Sequence, residues 1–213
     1  MSDDRRLLVR KIENSGVLKT PNIKQALLSV DRRDFVLPQY EGYAYDDRPL
    51  PIGEGQTISQ PFTVVFMLEL LQAQEGHKVL DAGSGSGWTT ALLSKIVGPT
   101  GKIIAMEIVH SLKTFGESNF KKIEEENAIF VHGDASRGYP KEAPYDRILV
   151  SASASEIPKE LLNQLKVGGK LVIPLRDYRG SMVLVEKNGE NKYKKSEYPG
   201  FAFVPFIQSR DNE

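Results

Sequence analysis

Two segments of the chain gather residues whose types and spacing can do chemistry. Val79-Leu80-Asp81-Ala82-Gly83-Ser84-Gly85-Ser86-Gly87 is an apolar run that ends on an acid and opens into three glycines at alternate positions. Glycine lets the backbone turn tightly and approach a ligand closely, and the N-terminus of a following helix offers unpaired N–H groups. A dinucleotide loop needs glycine where Trp88 stands, and a P-loop needs Gly-Lys-Ser/Thr; the chain has neither. Two acids extend the pattern. Glu107 ends the next apolar run, about twenty residues on, where a carboxylate can accept hydrogen bonds from ribose hydroxyls. Gly133-Asp134 ends the third run, where an Asp can accept from an adenine amino group. The expected nucleotide-cofactor site comprises Asp81, Gly83, Ser84, Gly85, Gly87, Glu107, Gly133, Asp134 and Ala135. The second segment, Pro49 to Pro61, is a polar loop bounded by Gly and Pro that can present hydroxyl and amide groups to a substrate beside it.

These residues need a frame. Strands are expected at Lys78–Asp81, Lys102–Glu107, Ala128–His132, Tyr145–Val150 and Gly169–Pro174. Helices are expected at Trp88–Val97, His110–Glu126 and Lys159–Gln164. Strand and helix alternating at this cadence predict an α/β fold, a doubly wound, mostly parallel sheet whose strand ends carry the glycine loop and both acids. Ahead of it, helices are expected over 5–13 and 22–30, an irregular stretch over 31–47, and a helix opening at Pro61. Behind it, Ser181–Lys187 and Tyr193–Tyr198 predict a hairpin around Asn188-Gly189, a type I′ signal, with a final strand over Phe201–Ile207. The expected organisation is a single domain: 1–60 N-terminal helices and substrate loop, 61–175 cofactor-binding core, 176–213 C-terminal antiparallel strands.

Composition narrows the function classes. The formal net charge is zero, so the chain shows no electrostatic footprint for nucleic acid or an anionic membrane. It has no cysteine, which removes disulfides, thiolate metal ligands and a cysteine nucleophile together. No metal-binding constellation is visible, and none of the three histidines (His77, His110, His132) falls in the polar loop. No apolar run reaches a membrane span and no signal peptide is apparent, so a cytoplasmic protein is expected.

The glycine loop resembles the S-adenosyl-L-methionine (AdoMet) loop of Rossmann-like methyltransferases. Over most of its length the chain resembles the protein-L-isoaspartate O-methyltransferase family, through Tyr45 to Gly53, Gln56-Thr57-Ile58-Ser59-Gln60-Pro61, Met67 to Leu71, Val79 to Gly87, Ala143 to Asp146, Ile157-Pro158, Gly168-Gly169 and Phe203-Val204-Pro205. The resemblance implies a seven-stranded sheet with its last two strands exchanged relative to most AdoMet enzymes. It also implies methylation of the free carboxylate of an isoaspartyl residue in a damaged protein or peptide, with S-adenosyl-L-homocysteine as product. The ester then closes to a succinimide that reopens partly to normal aspartate. An ionised carboxylate needs no general base, and a hydroxyl orients it without the quenching an arginine would bring. Ser59 is the residue expected in that role. By resemblance, Ile52, Gly53, Thr57, Ile58, Ser151 and Ser153 hold the peptide. A monomer is expected.

Four places depart from the family pattern. Ala135 stands where glycine is usual, Ser151-Ala152-Ser153 where Thr-Ala-Ala is usual, and Asp31 replaces a common Pro before Arg32. After Pro174, Arg176-Asp177-Tyr178-Arg179-Gly180-Ser181 is the largest departure. These changes leave two further readings open: a carboxyl methyltransferase dedicated to a different peptide, or a non-catalytic AdoMet-binding adaptor.

Overall fold

The computed structural model describes residues 3–207. The alternation of apolar residues builds a central sheet of β3 (Lys78–Ala82), β4 (Lys102–Glu107), β5 (Ala128–His132), β6 (Tyr145–Val150), β7 (Leu165–Leu175), β8 (Ser181–Gly189) and β9 (Lys192–Tyr198). Its order is β5-β4-β3-β6-β7-β8-β9. The first five strands pair in parallel, and β8 and β9 are added antiparallel in chain order, as the resemblance implies for the last two strands. Successive side chains of a strand point to opposite faces. Val79, Ile103, Leu149 and Val172 therefore join, on one side, a single core with buried residues of α1 (Asp3–Asn14), α2 (Pro21–Ser29), α3 (Pro61–Leu71), α4 (Trp88–Val97) and α5 (His110–Phe120). Leu80, Ile104, Ile148 and Leu171 bury Leu161 of α6 (Lys159–Asn163), Tyr145 and Ala135 on the other. No helix among the described residues is long and apolar enough to cross a membrane.

Four elements differ from the sequence expectation. The polar loop contains a two-stranded hairpin, β1 (Leu50–Gly53) and β2 (Gln56–Ile58). Its turn residues Glu54 and Gly55 have φ of 53° and 69°, the left-handed pair that a type I′ turn requires. α5 stops at Phe120 rather than Glu126, passing through a 3₁₀ turn (Lys121–Ile123) to a left-handed Glu124. Glu124-Glu125-Glu126 would place three carboxylates on the negative end of the helix dipole. The β8–β9 hairpin turns at Glu190-Asn191, not Asn188-Gly189, because the pairing shifts between Lys187 and Gly189 and carries the strand past the Asn-Gly pair. Finally, Phe201–Ile207 is not a strand. Gly200 (φ 98°) turns the chain away from β9, and only a bridge between Pro205 and Ser153 forms. The segment crosses the ends of the parallel strands instead of extending the sheet.

Candidate active site

The strand order reverses at β3, flanked by β4 and β6, and the glycine loop leaves β3 at that crevice. Gly83 N–H and Ser84 N–H both donate to Met106 O (2.9 and 3.0 Å), and Gly85 N–H donates to Glu107 Oε2 (3.0 Å). Glu107 Oε1 accepts from Val109 N–H (3.0 Å), so its carboxylate is fixed by two backbone amides and keeps free lone pairs. Gly87 must be glycine on two counts. Its φ is 81°, and a Cβ there would lie 2.7 Å from Gly116 O of α5.

Asp81 is fully buried beneath the loop, where Thr90 Oγ1 donates to its Oδ2 (2.6 Å) and Oδ1 has no partner. Burial pushes its carboxyl up to about 7; the Thr90 hydrogen bond opposes the rise and the negative Glu107 adds to it.

A cleft of about 490 Å³, counting its open mouth, lies against this loop. Of the residues expected at the site, Ile52, Thr57, Gly83, Gly85, Glu107, Ala135 and Ser151 line it. Gln56 and Ala152, inside the two stretches where the peptide was expected, line it too, as do Ile108 and the crossing segment Val204–Ile207, which went unrecognised in the sequence as site residues. The hairpin packs directly over the loop, since a Cβ on Gly85 would sit 3.3 Å from Ile52 Cδ1. Ala135 has a negative φ, so replacing the family's glycine costs no strain there.

Other expected residues stand back from the cleft. Asp134 caps the 3₁₀ turn Ala135–Arg137, its Oδ1 accepting from Ser136 N–H (2.9 Å) and Ser136 Oγ (2.7 Å). Gly133 N–H donates to Glu107 O (3.0 Å) and supports that strand end. Ser153 is buried, with its Oγ directed to the carbonyls of Val204 (3.2 Å) and Phe203 (3.4 Å), so it fastens the crossing segment rather than facing the cleft. Gly53 and Ile58 form the hairpin without lining the cleft.

The donor set suits an AdoMet-like ligand. Ser84 Oγ is buried without a partner, and beside Gly83 the space that a Cβ would take is open. Glu107 can accept from a ribose diol, while Ile108 and Ala135 give apolar walls to a flat base.

Ser59 lies in a second, adjoining groove lined by Pro49, Thr57, Gln60, Phe62, Thr63 and Pro199–Val204. Thr57 and Val204 line both depressions, so the two meet there. Ser59 does not cap α3. The cap position is Gln60, without a side-chain cap bond, and Asp47 Oδ1 accepts the Phe62 N–H (2.8 Å) instead. Among all these lining residues Glu107 is the one charged side chain.

Sequence reasoning passed over Arg32. It is 2% exposed, and its guanidinium donates to Ala44 O (2.6 Å), Arg48 O (3.2 Å) and Ser59 O (3.1 Å) while lying 5.1 Å from the Trp88 ring centroid. Burial lowers its pKa to about 10, against the nearby charges of Asp47 and Asp46, leaving it a cation at neutral pH. Asp31 alongside accepts from Arg5 (2.8 Å), Arg33 (3.2 Å) and the Tyr45 hydroxyl. Burial alone would raise the Asp31 carboxyl, but hydrogen bonds from Tyr45 and Arg33 and the charge of Arg5 hold it below its ordinary value.

The departure after Pro174 turns away from both depressions. Asp177 accepts from Arg179 N–H and Ser181 Oγ, Arg179 reaches Glu197 (3.8 Å), and neither Arg176 nor Arg179 lines cleft or groove.

Comparison with known proteins agrees with this geometry. The family model described as protein-L-isoaspartate(D-aspartate) O-methyltransferase matches residues 3–211. The protein-L-isoaspartate O-methyltransferase of Methanopyrus kandleri is 43% identical over 205 residues, covering 95% of this chain and 91% of that one. That of Methanosarcina mazei is 44% identical over 204 residues, covering 95% and 83%. A Plasmodium falciparum structure described as a protein-L-isoaspartate O-methyltransferase in complex with S-adenosyl-L-homocysteine superposes with a TM-score of 0.86 at 26% identity, covering 98% of this chain and 100% of that one. Glycine loop, hairpin, strand order and full-length similarity coincide, and the chain belongs to the protein-L-isoaspartate(D-aspartate) O-methyltransferase family.

Proposed function

We infer that the chain transfers a methyl group from AdoMet to the free carboxylate of L-isoaspartyl residues in damaged proteins and peptides, initiating repair through a succinimide. The observation that carries this reading is the junction at Thr57 and Val204, where an uncharged groove bearing Ser59 opens onto the cleft of the glycine loop. AdoMet bound in the cleft supplies an electrophilic methyl carbon on a sulfonium. Gly83, Ser84 and Gly85 hold its amino-acid end, Glu107 its ribose, and Ile108 and Ala135 flank its base.

The acceptor carboxylate arrives ionised, so no residue has to remove a proton. Among the described residues no lysine or arginine lines the groove to bind that carboxylate and lower its nucleophilicity. Ser59 donates a hydroxyl hydrogen bond that orients the attacking oxygen, and Thr57 closes the passage beside it. Opposite charges cancel as the methyl moves, and an apolar groove walled by Phe62, Phe201 and Phe203 favours that loss of charge over the separated ions. The protein's contribution is alignment and exclusion of water.

The finer reading is a monomeric, cytoplasmic enzyme that acts on peptides and uses neither nucleic acid nor membrane. A net charge of zero supports it. The test is methyl transfer from labelled AdoMet to two short peptides differing only in Asp versus isoAsp. Label on the isoAsp peptide alone is expected; label on both, or on neither while AdoMet binds, overturns the reading.

A further inference from the structure

We propose that Arg32 is a positioning residue that sets the distance between the acceptor groove and the cofactor cleft. The inference rests on the methyl-transfer reading for its kinetic consequence, though not for its geometry. Three carbonyls from separate points of the acceptor segment converge on this guanidinium: Ala44, Arg48 and Ser59. The third belongs to Ser59, which lines the groove. The guanidinium also lies over the ring of Trp88, the first residue of α4 after Gly87. One planar side chain thus touches both halves of the site, and neither half is joined to the other by a strand pairing of the main sheet.

A packing role alone does not account for the residue. Among the described residues no carboxylate is hydrogen-bonded to the Arg32 guanidinium; its contacts are carbonyl dipoles and an aromatic ring, with Asp47 and Asp46 acting on its charge from further off. Removing a cation from water is costly without such partners, and an apolar residue of similar volume would fill the space at less cost. What the apolar residue cannot do is fix three carbonyls in one plane. Lysine cannot do so either, because its single ammonium lacks the fork and does not stack flat on an indole. The neighbouring carboxylate completes the device. Asp31 Oδ1 accepts from Arg33 N–H (3.0 Å), capping the 3₁₀ turn Arg32–Phe35, and its bonds to Arg5 and Tyr45 hold that turn to α1 and to the start of the acceptor segment.

The experiment compares wild type with Arg32→Lys and Arg32→Met in thermal stability, AdoMet dissociation constant, steady-state kinetics on an isoAsp peptide and hydrogen exchange of residues 44–60. In Arg32→Lys, kcat should fall at least roughly tenfold. The AdoMet dissociation constant should change less than about twofold, and amides of 44–60 should exchange faster with the melting temperature near that of wild type. Arg32→Met controls for folding; if only it unfolds, the Lys variant still decides. Unchanged kcat and unchanged exchange in Arg32→Lys overturn the proposal, as does an equal loss of AdoMet affinity and turnover, which marks general support of the fold. If wild type fails to methylate isoAsp peptides, the functional reading falls by itself. The exchange of 44–60 then decides: faster exchange in Arg32→Lys upholds the positioning of the segment and unchanged exchange overturns it.

Discussion

The glycine loop and the β1–β2 hairpin face each other across the cleft, and both rely on left-handed backbone, yet they are held in different ways. Gly83, Gly85 and Gly87 sit at a strand–helix junction whose amides are bonded to Met106 and Glu107 and whose glycines pack against α5. At the hairpin tip a Cβ on Gly53 or Gly55 would meet nothing within 4 Å, and the base of the hairpin is held by the buried Arg32. One half of the site is built from backbone inside the sheet; the other is suspended from side chains. Substitutions should therefore damage the loop through folding and cofactor affinity, and the acceptor segment through turnover.

The largest contrast should come from glycine itself. Gly87→Ala combines left-handed strain of about 1–2 kcal/mol with a Cβ driven into the Gly116 carbonyl, and a loss of about 3 kcal/mol or more in unfolding free energy is expected. Gly53→Ala has a φ of 96° and nothing within 4 Å of its new Cβ, so strain acts alone and the loss should be about 1–2 kcal/mol. Denaturant melts of the two variants measure the difference. Equal losses would show that the α5 contact yields at no cost.

Chemistry should separate along the same line. Ser59→Ala is expected to lower kcat roughly ten- to a hundredfold with little change in AdoMet affinity or melting temperature, because its hydroxyl caps no helix. Glu107→Gln places one amide donor against the Gly85 or Val109 N–H, a cost of about 1.5–3 kcal/mol that should appear as weaker AdoMet binding. Calorimetric titration beside single-turnover kinetics distinguishes them, and a Ser59→Ala enzyme that loses affinity and rate alike would reassign the serine to supporting the loop.

Two aspartates, Asp81 buried and Asp31 half-buried, carry the contrast into pH. Asp81, raised to about 7, holds its proton when folded but loses it near pH 4 when unfolded. The folded state binds more protons between those values, so this group lowers stability as pH rises from about 4 to 7. Asp31 is depressed, so its contribution is present above its unfolded value near pH 4 and is lost as pH falls through the folded one. Asp81→Asn should therefore gain on wild type as pH rises through the first window. Asp31→Asn should be less stable than wild type at neutral pH and converge with it in acid. Urea titrations across pH 3–8 would show both slopes, and a flat difference for either variant removes that carboxyl from the account.

The glycine loop was legible in the sequence because its constraints are local: an apolar strand, glycines where only glycine turns, and acids at successive strand ends. Ser59 was singled out through its motif and the chemistry a carboxylate nucleophile requires, and the structure places it in the groove that adjoins the cleft. Arg32 was not. Its partners lie 12 to 27 positions away and are carbonyls, which every residue has. Asp134 and Ser153 were read as ligand-facing; Asp134 Oδ1 also takes up the Ser136 N–H and hydroxyl in an Asx-type turn, and Ser153 Oγ is directed to the crossing segment. The crossing segment itself looked like a strand because Phe201, Phe203 and Pro205 alternate with Ala202, Val204 and Phe206. Pro205 lacks an N–H, and Gly200 and Phe201 bond to Arg179 and Gly180 instead of to an edge strand, so the pattern serves two faces of a loop.

The smallest effect expected is at the hairpin tip, and it tests how far the suspension reaches. Ser111 Oγ of α5 donates to Glu54 Oε1 (2.9 Å), an exposed bond that joins the tip to the cofactor side of the cleft. Exposed polar contacts of this kind contribute a few tenths of a kcal/mol, and Glu54→Ala keeps the same backbone strain, so stability should change by less than about 0.5 kcal/mol. If the segment is positioned from its base, turnover should also stay within about twofold of wild type. A severalfold change in kcat with unchanged stability would mean that the tip, not only Arg32, governs how the hairpin lies over Gly85. Combining Glu54→Ala with Arg32→Lys then tells the two apart: independent anchors give additive losses, whereas a tip that matters only once the base is loosened gives a double variant worse than the sum.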